Sequence, residues 1–95
     1  MPTAPFQAET EAGRLVLRFS GTLDTPTAVA RWEEAHQAAK ASQDLTIDAS
    51  AVTALDSGGA ALLVSLARLG SEAEWREPAE AAPRGALERF RKAIP

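Results

Sequence analysis

Few side chains in this 95-residue chain could do chemistry. There is one histidine, His36, and no cysteine. The lack of cysteine excludes disulfides, thiolate metal sites and a cysteine nucleophile, and it leaves the redox compartment open. His36 falls mid-helix in the reading below, and no second histidine stands at i+3 or i+4 to complete a zinc face. Its expected place is at the surface or in helix packing. A Ser-His-Asp triad can be drawn on paper from Ser57, His36 and Asp48, but no Gly-x-Ser-x-Gly elbow supports it. Asp24, Asp44, Asp48 and Asp56 could gather near one sheet edge and invite a metal ion. Asp24 and Asp56 each precede a predicted helix, however, and capping of free N–H groups is the better reading. No catalytic residue, metal or cofactor is expected.

The stretch "ALDSGGAALLVSLARL", residues 54–69, is the most informative. Its Asp-Ser-Gly-Gly start suggests a phosphate-cradling turn, yet neither the dinucleotide nor the P-loop spacing is present. Ser57 keeps two readings: a helix cap shared with Asp56, or a regulatory phosphate site where unpaired N–H groups would meet the added charge. At 100° per residue, Ser57, Ala61, Val64, Ser65 and Arg68 share one arc, with Leu62, Leu63, Leu66 and Leu69 opposite and expected to face a sheet. The outward arc is smooth, small and nearly uncharged. Such patches suit close approach by another backbone, so this helix is expected to present a partner surface.

The elements that must position these residues follow from period and punctuation. "RLVLRFSG" places Leu15, Leu17 and Phe19 on one side of a strand and Val16 and Arg18 on the other. "PFQAET" is its antiparallel partner across a Glu11-Ala12-Gly13 turn. Asp24-Thr25-Pro26 opens a helix to about Ala41, expected to bury Ala28, Val29, Trp32, Ala35 and Ala39. "DLTIDAS" is a strand with Leu45, Ile47 and Ala49 alternating against Thr46, Asp48 and Ser50. Gly70 is the expected stop of the second helix. "EAEWRE" offers a short strand showing Ala73 and Trp75 to the core, and "PRGALERFRKAI" a last helix with Leu87, Phe90 and Ile94 in phase. Trp32, Trp75, Phe19 and Phe90 are all assigned to the core. The order ββαβαβα implies an α/β fold with a mixed sheet and parallel crossovers.

Length allows one small domain, taken as residues 1–95. The net charge of −3, with both signs mixed along the chain, argues against a nucleic-acid partner. The N-terminus lacks a signal-peptide pattern, and "GGAALLVSLARLG" is too short to span a bilayer. A soluble, cytoplasmic protein is expected, touching a membrane only through a partner.

"LTIDASAVTALDSGGAALLVSLAR" resembles the signature of STAS domains: a strand, a short link, then Asp-Ser/Thr-x-Gly opening a helix of small and aliphatic residues. "LVLRFSGTLDTPTA" resembles the family's second strand, and the likeness covers about residues 14–70. It implies a STAS fold of about four strands covered by helices, acting as a non-enzymatic protein-binding module. Asp56 is then the motif acid, Ser57 the hydroxyl residue, and Gly59 the glycine. In the anti-sigma-factor antagonist branch, that hydroxyl is phosphorylated by the anti-sigma kinase that the domain binds. In the MlaB-like branch, the helix docks on the cytoplasmic ATPase of a phospholipid-transporting ABC system.

"DSGGAALL" is close to the MlaB-like pattern, and Gly58 stands where sigma-type antagonists often carry a second hydroxyl. The chain is also as short as MlaB-like proteins, although sigma antagonists are short too. The resemblance therefore implies an accessory subunit, peripheral to the inner membrane when in complex. Asp56, Ser57, Gly59, Ala61, Val64, Ser65 and Arg68 would be its partner-binding residues. The alternative is an antagonist switched by phosphorylation of Ser57. "SEAEWREPAEAAPRGALERF" is more polar than the family's last strand and matches it poorly.

Overall fold

Ala12 and Gly13 both adopt positive φ, 51° and 79°, and this two-residue turn matches the right-handed twist of a hairpin. It joins β1 (Phe6–Glu11) to β2 (Arg14–Leu23), which pair antiparallel from Phe6↔Phe19 to Glu11↔Arg14. The computed structural model describes residues 6–41, 44–69 and 73–93. After β2 come α1 (Thr25–Lys40), β3 (Leu45–Leu55), α2 (Ser57–Ala67), β4 (Glu74–Arg76) and α3 (Ala81–Ala93). The sheet runs β1-β2-β3-β4, with β2, β3 and β4 parallel. This is an α/β fold with a four-stranded mixed sheet and the order ββαβαβα, consistent with the STAS fold.

The three helices lie side by side on one face of the sheet: α1 against β1 and β2, α2 against β3, and α3 against β3 and α2. Between the layers sit Leu17, Phe19, Leu23, Leu45, Ile47 and Leu87, all fully buried, together with the inward side of α2. Phe6 stacks on Phe19 at 5.3 Å between ring centroids and closes the core under β1.

The helix-free face is also covered. Val16 and Thr46 are fully buried there and Asp48 nearly so, although Val16 stands apart from the main core. Their cover is a lattice of charged side chains. Arg18 reaches Glu9, Glu11 and Asp48 at 3.0, 3.0 and 3.1 Å. Arg76 on β4 meets the same Asp48 at 3.3 Å, and Arg14 approaches Glu74 at 3.8 Å. The simple in/out alternation expected of "DLTIDAS" therefore fails, because long arginine and glutamate stems shield the polar side of β3.

Three other expectations are corrected. Val29 is 70% and Trp32 38% exposed, because α1 meets the sheet along Ala28, Ala35 and Ala39. That stripe brings helix and strands close and leaves Trp32 at the flank. Leu69 does not face the sheet and is 41% exposed, since α2 ends at Ala67 with Arg68 as its C-cap and the helical phase stops there. No link separates the strand from the Asp-Ser-Gly-Gly motif: β3 runs to Leu55, immediately before Asp56. Trp75 and Phe90 are half-buried against the core, and Phe19 is fully buried. The expectations for Gly70 and Ile94 lie outside the described residues.

Candidate functional site

The sheet brings the start of α1 and the start of α2 together at the carboxyl ends of β2 and β3, and Asp56 ties them. One carboxylate oxygen accepts the Gly59 N–H at 2.9 Å, capping α2. The other accepts both the N–H and the hydroxyl of Thr25 at 2.8 and 3.0 Å, gripping the first residue of α1. Hydrogen bonds from Gly59 and then Thr25 hold the Asp56 carboxyl below its usual range. Asp24 caps α1 through the Thr27 N–H at 3.0 Å, and Thr27 likewise holds it low.

The two glycines follow from this closeness. A Cβ on Gly58 would overlap Thr25, and one on Gly59 would overlap the Leu23 carbonyl. Asp-Ser-Gly-Gly is thus first a device for packing two helix starts, and Asp56 and Gly59 belong to it. Asp24 and Asp56 are occupied as caps. Among the described residues no group of three or more histidine or acidic side chains is placed to hold a metal ion.

With Asp56 acting as the cap, Ser57 is free. It is exposed at the first position of α2 and makes no side-chain hydrogen bond among the described residues. It opens onto an open hollow of about 370 Å³ whose far wall is Ala86, Arg89 and Phe90 of α3. Further along α2 lies an open groove of about 410 Å³. Ala61, Val64 and Ser65 form its floor, Trp32 of α1 and Phe90 of α3 its walls, and Arg68 and Leu69 its far end. Phe90 lines both, so hollow and groove adjoin along α2 and are together termed the trough. The structure gathers Ser57, Ala61, Val64, Ser65 and Arg68 along this trough, whose floor is half-buried.

His36 fixes one wall. Its Nδ1 lies 2.7 Å from the Trp32 carbonyl, which can only accept, so this nitrogen donates. Its Nε2 lies 2.7 Å from Ser65 Oγ and, in the neutral ring, accepts that hydroxyl's proton. The ring also stacks on Trp32 at 4.7 Å. His36 thus packs α1 on α2, as expected, and holds the Trp32 side chain at the trough's edge.

The paper triad is not assembled, since His36 engages Ser65 and Asp48 sits on the opposite face of the sheet. There Asp48 accepts the Ser50 hydroxyl and N–H at 2.6 and 3.0 Å. Burial pushes the Asp48 carboxyl up, but hydrogen bonds from Ser50, Arg18 and Arg76 outweigh it and hold the pKa low.

Sequence reasoning missed Trp32, Arg89 and Phe90 as trough residues. Phe90 carried half a signal, standing three residues after the buried Leu87 and hence near that helix's inner face. Arg89 carried none, because only the docking of α3 beside α2 brings it to Ser57.

A family model described as "Mlab, STAS domain" matches residues 6–93, extending the likeness seen at 14–70 through β1, β4 and α3. No curated protein matches the chain significantly. With that match spanning every element from β1 to α3, the chain belongs to the Mlab-type STAS-domain family, a family of protein-interaction modules.

Proposed function

We propose that this chain is the MlaB-like accessory subunit of a phospholipid-transporting ABC system, docking through α2 on the cytoplasmic ATPase and supporting its assembly or activity. The observation that carries the reading is the trough. Small residues floor it, two aromatics flank it, and no other part of the described chain fills it. Apolar surface of this kind, rimmed by polar groups, marks a contact site. The match to the Mlab family model supports the choice of this partner class. Gly58 supports the same branch, since Thr25 leaves no room there for the second hydroxyl often found in sigma-type antagonists.

In this mechanism Ala61 and Val64 meet the ATPase backbone closely, and Ser57 adds a hydrogen bond at the trough mouth. Tighter binding to one ATPase conformation shifts its population and so tunes turnover. The subunit works from the cytoplasm, peripheral to the inner membrane. Among the described residues no helix is long and apolar enough to cross a membrane.

The test is a pull-down from the source cells with wild-type protein and Ala61→Arg, read by mass spectrometry. An ABC ATPase retained by wild type and lost with Ala61→Arg is the expected result. Retention of the ATPase by both, or by neither, would refute docking through α2.

A second reading, an antagonist switched by phosphorylation, is favoured by one feature. The Ser57 hydroxyl is exposed and unbonded, with Arg89 across the hollow to receive a phosphate. A serine kinase in the same pull-down, with phosphate appearing on Ser57 when ATP is added, would decide for it.

A further inference from the structure

We propose that the partner element seated in the trough is an acidic amphipathic helix, with one carboxylate at each end of its contact and apolar residues between; this rests on the docking reading above. The warrant is the distribution of arginine partners. Arg14, Arg18, Arg31, Arg76 and Arg91 each form an ion pair within the chain, and Arg84 donates to the Pro78 and Ala79 carbonyls. Arg68 and Arg89 make no ion pair or side-chain hydrogen bond among the described residues, and both line the trough. In a chain of net charge −3, both guanidinium groups without an internal partner among the described residues line the same trough, one near each end. The lining acid is Asp56, and its carboxylate is already engaged by Gly59 and Thr25.

Their placement sets the geometry of the occupant. Arg89 faces the Ser57 end and Arg68 the other, so the cations are separated by roughly the length of α2, about 16 Å. On a partner helix that span is about eleven residues, and positions i and i+11 fall on the same face. Residues at about i+4 and i+7 share that face and would lie between Trp32 and Phe90. The small floor of Ala61 and Ser65 lets the partner backbone come close. An acid–apolar–apolar–acid face is therefore the complement of this surface, in the manner of helix-in-groove recognition. Charge at its ends would fix the register and raise the association rate, with the apolar centre supplying the rest.

The experiment measures the affinity of the ATPase subunit recovered in the pull-down for wild type, Arg68→Glu, Arg89→Glu, the double variant and Ala61→Arg. Circular dichroism reports on the fold of each. Because neither arginine has an internal partner, all charge variants should melt as wild type does. Each single reversal is expected to weaken binding about tenfold or more and the double to remove it. Raising salt from about 50 to 500 mM should weaken wild type strongly. A Glu→Lys change at either end of the ATPase helix should rescue the reversal that faces it. A double variant that binds within about twofold of wild type, while Ala61→Arg does not bind, overturns the acidic-helix inference and leaves docking standing. Normal binding by Ala61→Arg as well overturns the docking reading itself.

Discussion

On the helix-free face of the sheet, Asp48 is bracketed by Arg18 at 3.1 Å and Arg76 at 3.3 Å, and Arg18 also reaches Glu9 and Glu11. On the outer surface of the helix layer, Arg68 and Arg89 meet no acid, and Trp32 and Leu69 stand more than a third exposed. The two faces carry the same residue types and use them differently. One closes its arginines and their acids on each other and shields Val16 and Thr46 beneath them. The other leaves cations and aromatic rings unsatisfied around a floor of small side chains. Among the described residues, the arginines without an internal partner therefore lie on the helix side, and substitutions on the two sides should separate stability from binding.

The largest effect should break that tidy division. Gly59 belongs to the helix that floors the trough, yet an Ala Cβ there would meet the Leu23 carbonyl and the Leu55 side chain. Gly59→Ala should cost about 3 kcal/mol, since the obstacle is backbone and cannot rotate away. Thermal unfolding would show a drop of more than about 10 °C. An unchanged melting temperature would mean that α2 can lift from β2, so that the motif's glycines serve contact more than packing.

Asp48→Ala sharpens the comparison from the other side. It removes the acceptor of Ser50 and the shared anion of two arginines, for an expected loss of about 2 kcal/mol with partner affinity unchanged. The pH dependence has a definite sign. The folded-state pKa of Asp48 is depressed, so its stabilisation is fully present above the ordinary value of 3.8 and is lost as pH falls through and below it. Asp48→Asn should flatten the acid limb of the stability curve below about pH 4. A limb as steep as wild type would place the acid sensitivity at the capping carboxylates Asp24 and Asp56.

Much of this was legible in the sequence, for reasons that differ by residue. The element order followed from strong local signals: the Ala12-Gly13 turn, Asp24 before Thr25-Pro26, and Asp56 before the aliphatic run of α2. Leu62, Leu63 and Leu66 were placed correctly because helical phase fixes which side of α2 is apolar. Phase misled at Leu69 because the helix ends two residues earlier. Trp32 was misplaced because its size suggested burial, whereas the alanine stripe of α1 decides what meets the sheet. The double role of Asp56 was hidden, since it depends on Thr25 lying beside it, 31 residues away in the chain. Arg68 lies on the arc that periodicity marked, but its lack of a partner, like that of Arg89, depends on where every acid falls in three dimensions.

Trp32 gives the smallest effect on stability and the cleanest division between the two properties. The residue is 38% exposed, and its ring stacks on His36 and forms the α1 wall of the trough. Trp32→Ala removes that wall but leaves the backbone carbonyl that receives the His36 Nδ1 proton, and with it the His36–Ser65 link between α1 and α2. Stability should fall by about 1.5 kcal/mol, since the loss combines one stacking contact with the apolar area that a partly wet side chain still buries. Partner affinity should fall about tenfold or more, because an aromatic wall beside a small-residue floor is where contact energy concentrates. Melting curves and binding isotherms on the same preparations would show which property the ring serves. If the melting temperature collapses while binding persists, Trp32 belongs to the core that its size first suggested, and the trough ends at α2. If binding falls alone, α1 is part of the docking surface, and the partner must be broad enough to cover α1, α2 and α3 together.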